Sequence, residues 1–314
     1  MFMSFTTNIK TEIDNIEYSR VETMSELSAI LNIAGNIEKN NFYVYTENLG
    51  VARRIYKMLK DAYQINVDME IRKIIKYKRT QQVVLTVSDK RSFILKDLSI
   101  ISEDYKRIYT PKEFLLGSDE EKRAYLRGAF LICGSINDPK TARYHLEFII
   151  PYRATAMFLK KLLNEYNYNA KVLKRENHYM VYIKEAERIS DFIKLLNAYN
   201  SLFYYEDIRI YRDHKNMTNR LNNCEQANIE KSLNSSNEQL KMIDILMARD
   251  DYELLDEKIR IICEYKKKYP ESSMLELSEI ISYETGKNIT KSGINHRMRK
   301  IKELTKKEME LEEN

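Results

Sequence analysis

Residues 123–136 read "RAYLRGAFLICGSI" and residues 24–37 read "MSELSAILNIAGNI". With one laid on the other, Leu27 falls on Leu126, Ala29 on Gly128, Leu31 on Phe130 and Gly35 on Gly134. The match continues downstream, where "IYKMLKDAYQINV" lies over "FLKKLLNEYNYNA" and pairs Ile55 with Phe158, Leu59 with Leu162, Tyr63 with Tyr166 and Val67 with Ala170. The second copy is longer between the two blocks, at "NDPK". Self-similarity over two blocks in one order is the mark of a duplicated unit.

Each copy reads as helix, strand, helix, strand, strand. "FYVYT" and "YHLEFII" are rich in β-branched and aromatic residues, 51–64 and 154–166 have helical apolar spacing, and "VVLTV" and "YMVYI" close the units. Residues 4–200 are therefore expected to form one duplicated domain, with repeats at about 4–100 and 110–200. Small residues at matched points, Ala29 and Gly128, predict that the two long helices pack against each other at close range.

Composition narrows the function. The chain is 43% hydrophobic, which is enough for real cores, and its formal charge is +5. Cys133, Cys224 and Cys263 form no C-x-x-C pair, so a reducing, cytoplasmic setting is expected. No apolar run is long enough for a membrane span, and no cofactor is called for. Seven glycines at unrelated spacings exclude a P-loop or dinucleotide fingerprint, and four scattered histidines give no hydrolase motif.

The helix pair resembles the LAGLIDADG homing-endonuclease fold, in which the last acidic residue of each motif holds a catalytic metal. Those positions are Ala34 and Cys133 here. Neither side chain offers the oxygen ligands that magnesium requires, so the domain reads as a nuclease without its catalytic acids. Glu26, Glu38 and Asp138 are the nearby acids through which a metal-dependent DNA endonuclease, the alternative reading, would have to work. They are expected instead to be solvated helix-end charges.

Residues 201–250 change to Asn- and Ser-rich text of mixed charge with no glycine or proline. A helical connector with a polar break near "SLNSSNE" is expected. Arg209, Arg212, His214, Lys215 and Arg220 could touch phosphate, but interspersed acids favour a charge-laced helical face. Cys224 reads as a small packing residue.

The last domain, 251–307, has three helices. Leu255, Ile259, Ile262 and Cys263 mark the first, before Pro270, and Ser273 with Glu276 form a capping box that opens a second, which ends near Gly286. Thr290 caps a third that buries Ile294, Met298, Ile301 and Leu304. Between Lys287 and Lys307 stand eight Lys or Arg residues and one acid, Glu303. Three short helices with a basic third describe a helix-turn-helix. Lys291, Ser292, Asn295, His296, Arg297, Arg299, Lys300 and Lys302 are the candidate DNA contacts, with Asn suited to adenine, Arg to guanine, and Lys and Ser to phosphate. An acidic tail, 308–314, closes the chain.

"KRAYLRGAFLICGSINDP", "RLNNCEQANIEK" and "TKSGINHRMRKI", in that order, resemble the WhiA family of bacterial DNA-binding regulators over essentially the whole chain. The resemblance implies an α+β fold, a duplicated LAGLIDADG homing-endonuclease-like domain without nuclease activity, followed by an all-α helix-turn-helix domain. It implies a cytoplasmic, nucleoid-associated transcription regulator linked to cell division and chromosome segregation, with sporulation in some relatives. Double-stranded DNA is the expected partner. Self-association or a protein partner would use the LAGLIDADG-like domain.

Overall fold

A short helix capped by Ser4, α1 (Phe5–Asp14), leads into the first repeat. That repeat comprises α2 (Arg20–Ala34), the short β1 (Asn36–Ile37), β2 (Phe42–Thr46), α3 (Leu49–Tyr63), β3 (Asp68–Lys76), β4 (Lys78–Val87) and α4 (Arg91–Asp97). The second repeat gives the same order: α5 (Asp119–Cys133), β5 (Gly134–Ile136), β6 (Leu146–Ile150), α6 (Arg153–Glu165), β7 (Lys171–Lys174), β8 (Tyr179–Ile183) and α7 (Ala186–Leu195). These elements come from a computed structural model that describes residues 4–76 and 78–312. Each repeat folds its strands into one antiparallel sheet, β1-β2-β4-β3 in the first and β5-β6-β8-β7 in the second. The expected pattern holds, with one extra short strand after each long helix and a closing helix that the apolar spacing did not reveal.

Both long helices start on a capping box, Ser19 with Glu22 and Ser118 with Glu121, which satisfies two orphan amides reciprocally. Along α2 every residue from Ser25 to Ile33 is buried, so α2 is enclosed on all sides and not amphipathic. The close approach to α5 is real. A Cβ added to Gly128 would stand 2.4 Å from the Glu26 carbonyl oxygen and 3.1 Å from Ala29 Cβ, so only glycine fits. At the helix exits a Cβ on Gly35 or Gly134 would collide with Leu31 or Phe130, because the chain folds back sharply into β1 and β5. Phe130, Phe148 and Phe192 then meet edge to face, with centroids 5.7 to 6.4 Å apart. Each such pair contributes about 0.5–1.5 kcal/mol beyond burial.

The chain divides into two compact units, the first ending at Asp213 and the second beginning at His214. Helix α8 (Tyr199–Met247) starts in the first, where the Glu12 carboxylate accepts the amides of Asn200 and Ser201 at 2.9 Å. The polar break expected near 232–238 is absent, since α8 runs through it. Asn and Ser lower helix propensity by only tenths of a kcal/mol each, too little to stop a helix that lacks Gly and Pro. The second unit continues with α9 (Glu257–Lys268), α10 (Met274–Thr285) and α11 (Lys291–Glu312). Met242, Ile243 and Leu246, from the end of α8, belong to its core beside Ile259, Ile262, Cys263, Leu277, Ile281, Ile294 and Ile301.

Candidate nucleic-acid interface

The geometry of the second unit is set by the turns that join its helices. Lys266 is buried, and its ammonium donates to the carbonyls of Pro270 and Ser272 at 2.8 Å each, which fixes the link between α9 and α10. Ser273 and Glu276 close the predicted capping box of α10, and Gly286 ends that helix in the left-handed conformation at φ +65°. Ser282 Oγ then donates to the Ile289 carbonyl and accepts the Ile289 amide, at 3.2 and 3.1 Å. Thr290 Oγ1 accepts the Gly293 amide at 3.2 Å as the expected N-cap of α11.

With Ile294, Met298 and Ile301 facing the core, the rest of α11 faces outward. Lys291, Ser292, Asn295, His296, Arg299, Lys300 and Lys302 are all exposed. Arg297 departs from this set: it is half-buried, and its Nη1 donates to the Gly293 carbonyl one turn back at 3.0 Å. Among the described residues, Lys291, Arg299, Lys300 and Lys302 have no ion-pair partner. A basic helix face of this kind, beginning at a helix N-terminus, is electrostatically suited to a polyanion.

The connector cations divide. Arg212 donates to the carbonyls of Pro139, Thr141 and Ala142 and stacks on Tyr144, and Arg209 pairs with Glu206 at 2.7 Å, so both are structural. His214, Lys215 and Arg220 are exposed. Cys224 is exposed too, contrary to its expected packing role, on a stretch of α8 in which every residue from 213 to 235 is exposed.

The acids of the first unit differ most from expectation. Glu26 is not solvated: it has no exposed surface and lies at the α2–α5 interface. Arg54 donates to both of its oxygens, Nε to Oε1 at 2.6 Å and Nη2 to Oε2 at 3.0 Å, and Arg127 Nε adds a third bond at 2.7 Å. Arg54 also donates to the carbonyls of Ile13 and Ile16, and Arg127 to Glu22 at 3.2 Å. The Glu26 carboxylate is buried, its charge is matched by two guanidinium groups, and three of its roughly four lone-pair sites are occupied, so it is poorly placed to hold a metal. The signal in the sequence was Arg127, a charge within an otherwise apolar helix run. Glu38 is exposed at the β1–β2 turn, and Asp138 is spent on a turn where its Oδ1 accepts the Lys140 amide at 2.9 Å.

The degenerate acid positions are half-buried. Beside Ala34, Arg107 donates to the carbonyls of Leu31, Asn32 and Gly35 and so caps the end of α2. Burial pushes the Cys133 thiol up to about 12, and the thiol donates to the Ala129 carbonyl. Lys10 Nζ lies 5.7 Å from the Phe130 ring centre, and burial pulls it down to about 8. At the acid positions themselves stand Ala34 and Cys133, with the cations Arg107 and Lys10 nearby, so these residues do not fit the metal site of a nuclease. Among the described residues, no three His, Cys, Asp or Glu side chains are grouped to hold a metal.

Three family models match the chain. They are the WhiA N-terminal LAGLIDADG-like domain over residues 20–101, the WhiA LAGLIDADG-like domain over 122–215, and the WhiA C-terminal HTH domain over 218–305. The fold is thus a duplicated LAGLIDADG-like α+β domain joined to a helix-turn-helix domain. The chain is 38% identical over 309 residues to the probable cell division protein WhiA of Bacillus mycoides, covering 97% of each. It is 39% identical over 306 residues to the protein of the same name from Bacillus velezensis, covering 96% of each. The chain belongs to the WhiA family. Its fold also matches the crystal structure of full-length DUF199/WhiA from Thermatoga maritima, with a TM-score of 0.58 at 23% identity over 97% of this chain and 99% of that one. No helix among the described residues is long and apolar enough to cross a membrane.

Proposed function

We propose that this protein is a non-catalytic, double-stranded-DNA-binding regulator of transcription that acts in the cytoplasm, on the nucleoid, in cell division and chromosome segregation. The observation that carries the DNA-binding part is the outward face of α11, which is basic and, among the described residues, has no ion pair at Lys291, Arg299, Lys300 or Lys302. The link to cell division is supported by the names of the Bacillus relatives. In this reading Asn295 and Arg299 read base edges, with His296 beside them, while Lys291, Ser292, Lys300 and Lys302 hold phosphates. Arg297 orders the first turn of the helix and reaches DNA only if it releases Gly293. The duplicated domain serves as scaffold and as a surface for self-association or a protein partner.

The test is retention of genomic fragments by the purified protein across a salt series, with and without magnesium, followed by sizing of the DNA. Affinity that falls steeply with salt on intact fragments is expected. Magnesium-dependent cutting would refute the non-catalytic reading, and salt-independent binding would refute the DNA-binding one.

A further inference from the structure

The first unit carries a cationic surface that its described role does not use. A groove of about 550 Å³ runs between α6 and the β7–β8 hairpin, with Met157, Val172 and Tyr179 as an apolar floor and Arg153, Lys160 and Lys174 along it. No acid lines it. Lys174 and Tyr179 are cross-strand partners and so project to one face, and Arg153, Met157 and Lys160 follow at i, i+4 and i+7 along α6. Among the described residues, none of the three cations has an ion-pair partner. Three like charges in one groove repel one another, and an anion laid between them relieves that repulsion.

The other face of the same sheet gives the contrast. Ile149, Met180 and Leu173 occupy matched positions there, and Glu147 holds His145 at 3.0 Å. On the first sheet, Glu70 neutralises Arg72 at 2.8 Å. Lys171 shares that other face without an ion pair among the described residues, so what sets the groove apart is that three such cations gather in one lining that holds no acid.

We infer that this groove is a second, sequence-independent seat for the DNA backbone, in which phosphates lie on Arg153, Lys160 and Lys174 and the Tyr179 ring packs against the sugars. The inference rests on the reading of α11 as a DNA-binding helix. A groove and α11 that share one chain can act on one duplex as two tethered contacts, so a weak backbone site adds to the overall affinity. An acidic peptide shares part of this chemistry but has no such tether.

The test uses the full-length protein carrying Arg153→Gln, Lys160→Gln and Lys174→Gln together, beside Arg299→Ala, on a preferred and a scrambled duplex over about 50 to 200 mM salt. The triple variant is expected to lose about one to three from the slope of log affinity against log salt. At the low-salt end it should bind on the order of 10- to 100-fold more weakly, equally on both duplexes. The charge-conserving set Arg153→Lys, Lys160→Arg and Lys174→Arg should restore the slope, which separates lost contact from lost folding. A triple variant with wild-type slope and affinity, while Arg299→Ala weakens binding, overturns the groove alone. If both variants match wild type, the α11 reading falls as well. A loss confined to one duplex overturns sequence independence. A variant that keeps its DNA slope but is no longer retained by polyglutamate makes an acidic peptide the occupant and also overturns the inference.

Discussion

Replacing Glu26 by Gln keeps the shape of the side chain and removes the one charge that two buried guanidinium groups share. Glu26 has no exposed surface, and Arg54 and Arg127 are 2% and 3% exposed, so water cannot take its place. Three short hydrogen bonds, at 2.6, 2.7 and 3.0 Å, lose their ionic acceptor. Removing one partner of a buried ion pair costs about 3–5 kcal/mol, because the partner's charge is left uncompensated. Arg54 keeps the carbonyls of Ile13 and Ile16, and Arg127 keeps Glu22, which holds the expected cost within that range. With a urea slope of about 2–3 kcal/mol per molar, the unfolding midpoint of the first unit should fall by about 1–2 M. The chain has no tryptophan, so far-ultraviolet circular dichroism is the suitable probe, and the transition of the helical second unit should not move. The companion variant, with Glu26, Arg54 and Arg127 all changed to Met, should recover part of the loss, since an apolar replacement removes the charges with the pair but leaves the Ile13 and Ile16 carbonyls without their Arg54 donor. A midpoint shift below about 0.5 M for Glu26→Gln, or a triple variant weaker than the single one, would refute the argument that buried charge, and not shape, is what Glu26 supplies.

Gly128→Ala places a methyl group 2.4 Å from the Glu26 carbonyl, forces α2 and α5 apart, and should cost about 1–3 kcal/mol by thermal denaturation. Lys10 has a folded value of about 8 against an ordinary 10.5, so its charge opposes folding fully below pH 8, and the opposition fades as pH rises from about 8 to 10.5. Lys10→Met should therefore stabilise the protein at pH 7 by about 1–3 kcal/mol, discounted for partial exposure, and lose that advantage by about pH 10.5. An unchanged gain at high pH would show that packing, not charge, is responsible. Arg299→Ala should weaken binding to a preferred site by about 1–3 kcal/mol if Arg299 reads a base, and lower affinity evenly across sequences if it touches only phosphate. Titration of both duplex types distinguishes the two.

The duplication was legible because it repeats spacing as well as composition, and spacing survives when identities drift. Leu27 and Leu126 are both fully buried, and Gly128 does bring two backbones together. The three-helix end was legible for a different reason: Ser273, Glu276, Gly286 and Thr290 are capping residues whose roles are local, so a short window of sequence contains the whole interaction. What stayed hidden depends on distance along the chain. Nothing near Glu26 announces Arg54 and Arg127, which approach from α3 and α5, 28 and 101 residues away. Arg297 was hidden more subtly, since at helical spacing it belongs to the outward face, yet its length lets it fold back onto Gly293.

The α2–α5 pair shows how this fold is held together where the acids of a nuclease are replaced. In a nuclease of this fold the helix C-termini carry acids, and the metal pays for that clustered negative charge at the negative ends of two helix dipoles. Here the acids are gone, and cations from elsewhere meet the helix ends directly. Arg107 binds three carbonyls at the end of α2, and Lys10 sits over Phe130 near the end of α5. Positive side chains at helix C-termini are favourable in their own right, a gain that Arg107 makes through its three carbonyls and that burial outweighs for Lys10. Midway along the pair, Glu26 with its two arginines ties α2 to α3 and to α5. The interface is thus held by side chains of the chain itself. On the non-catalytic reading proposed above, such a domain folds on its own side chains and contributes through its surfaces.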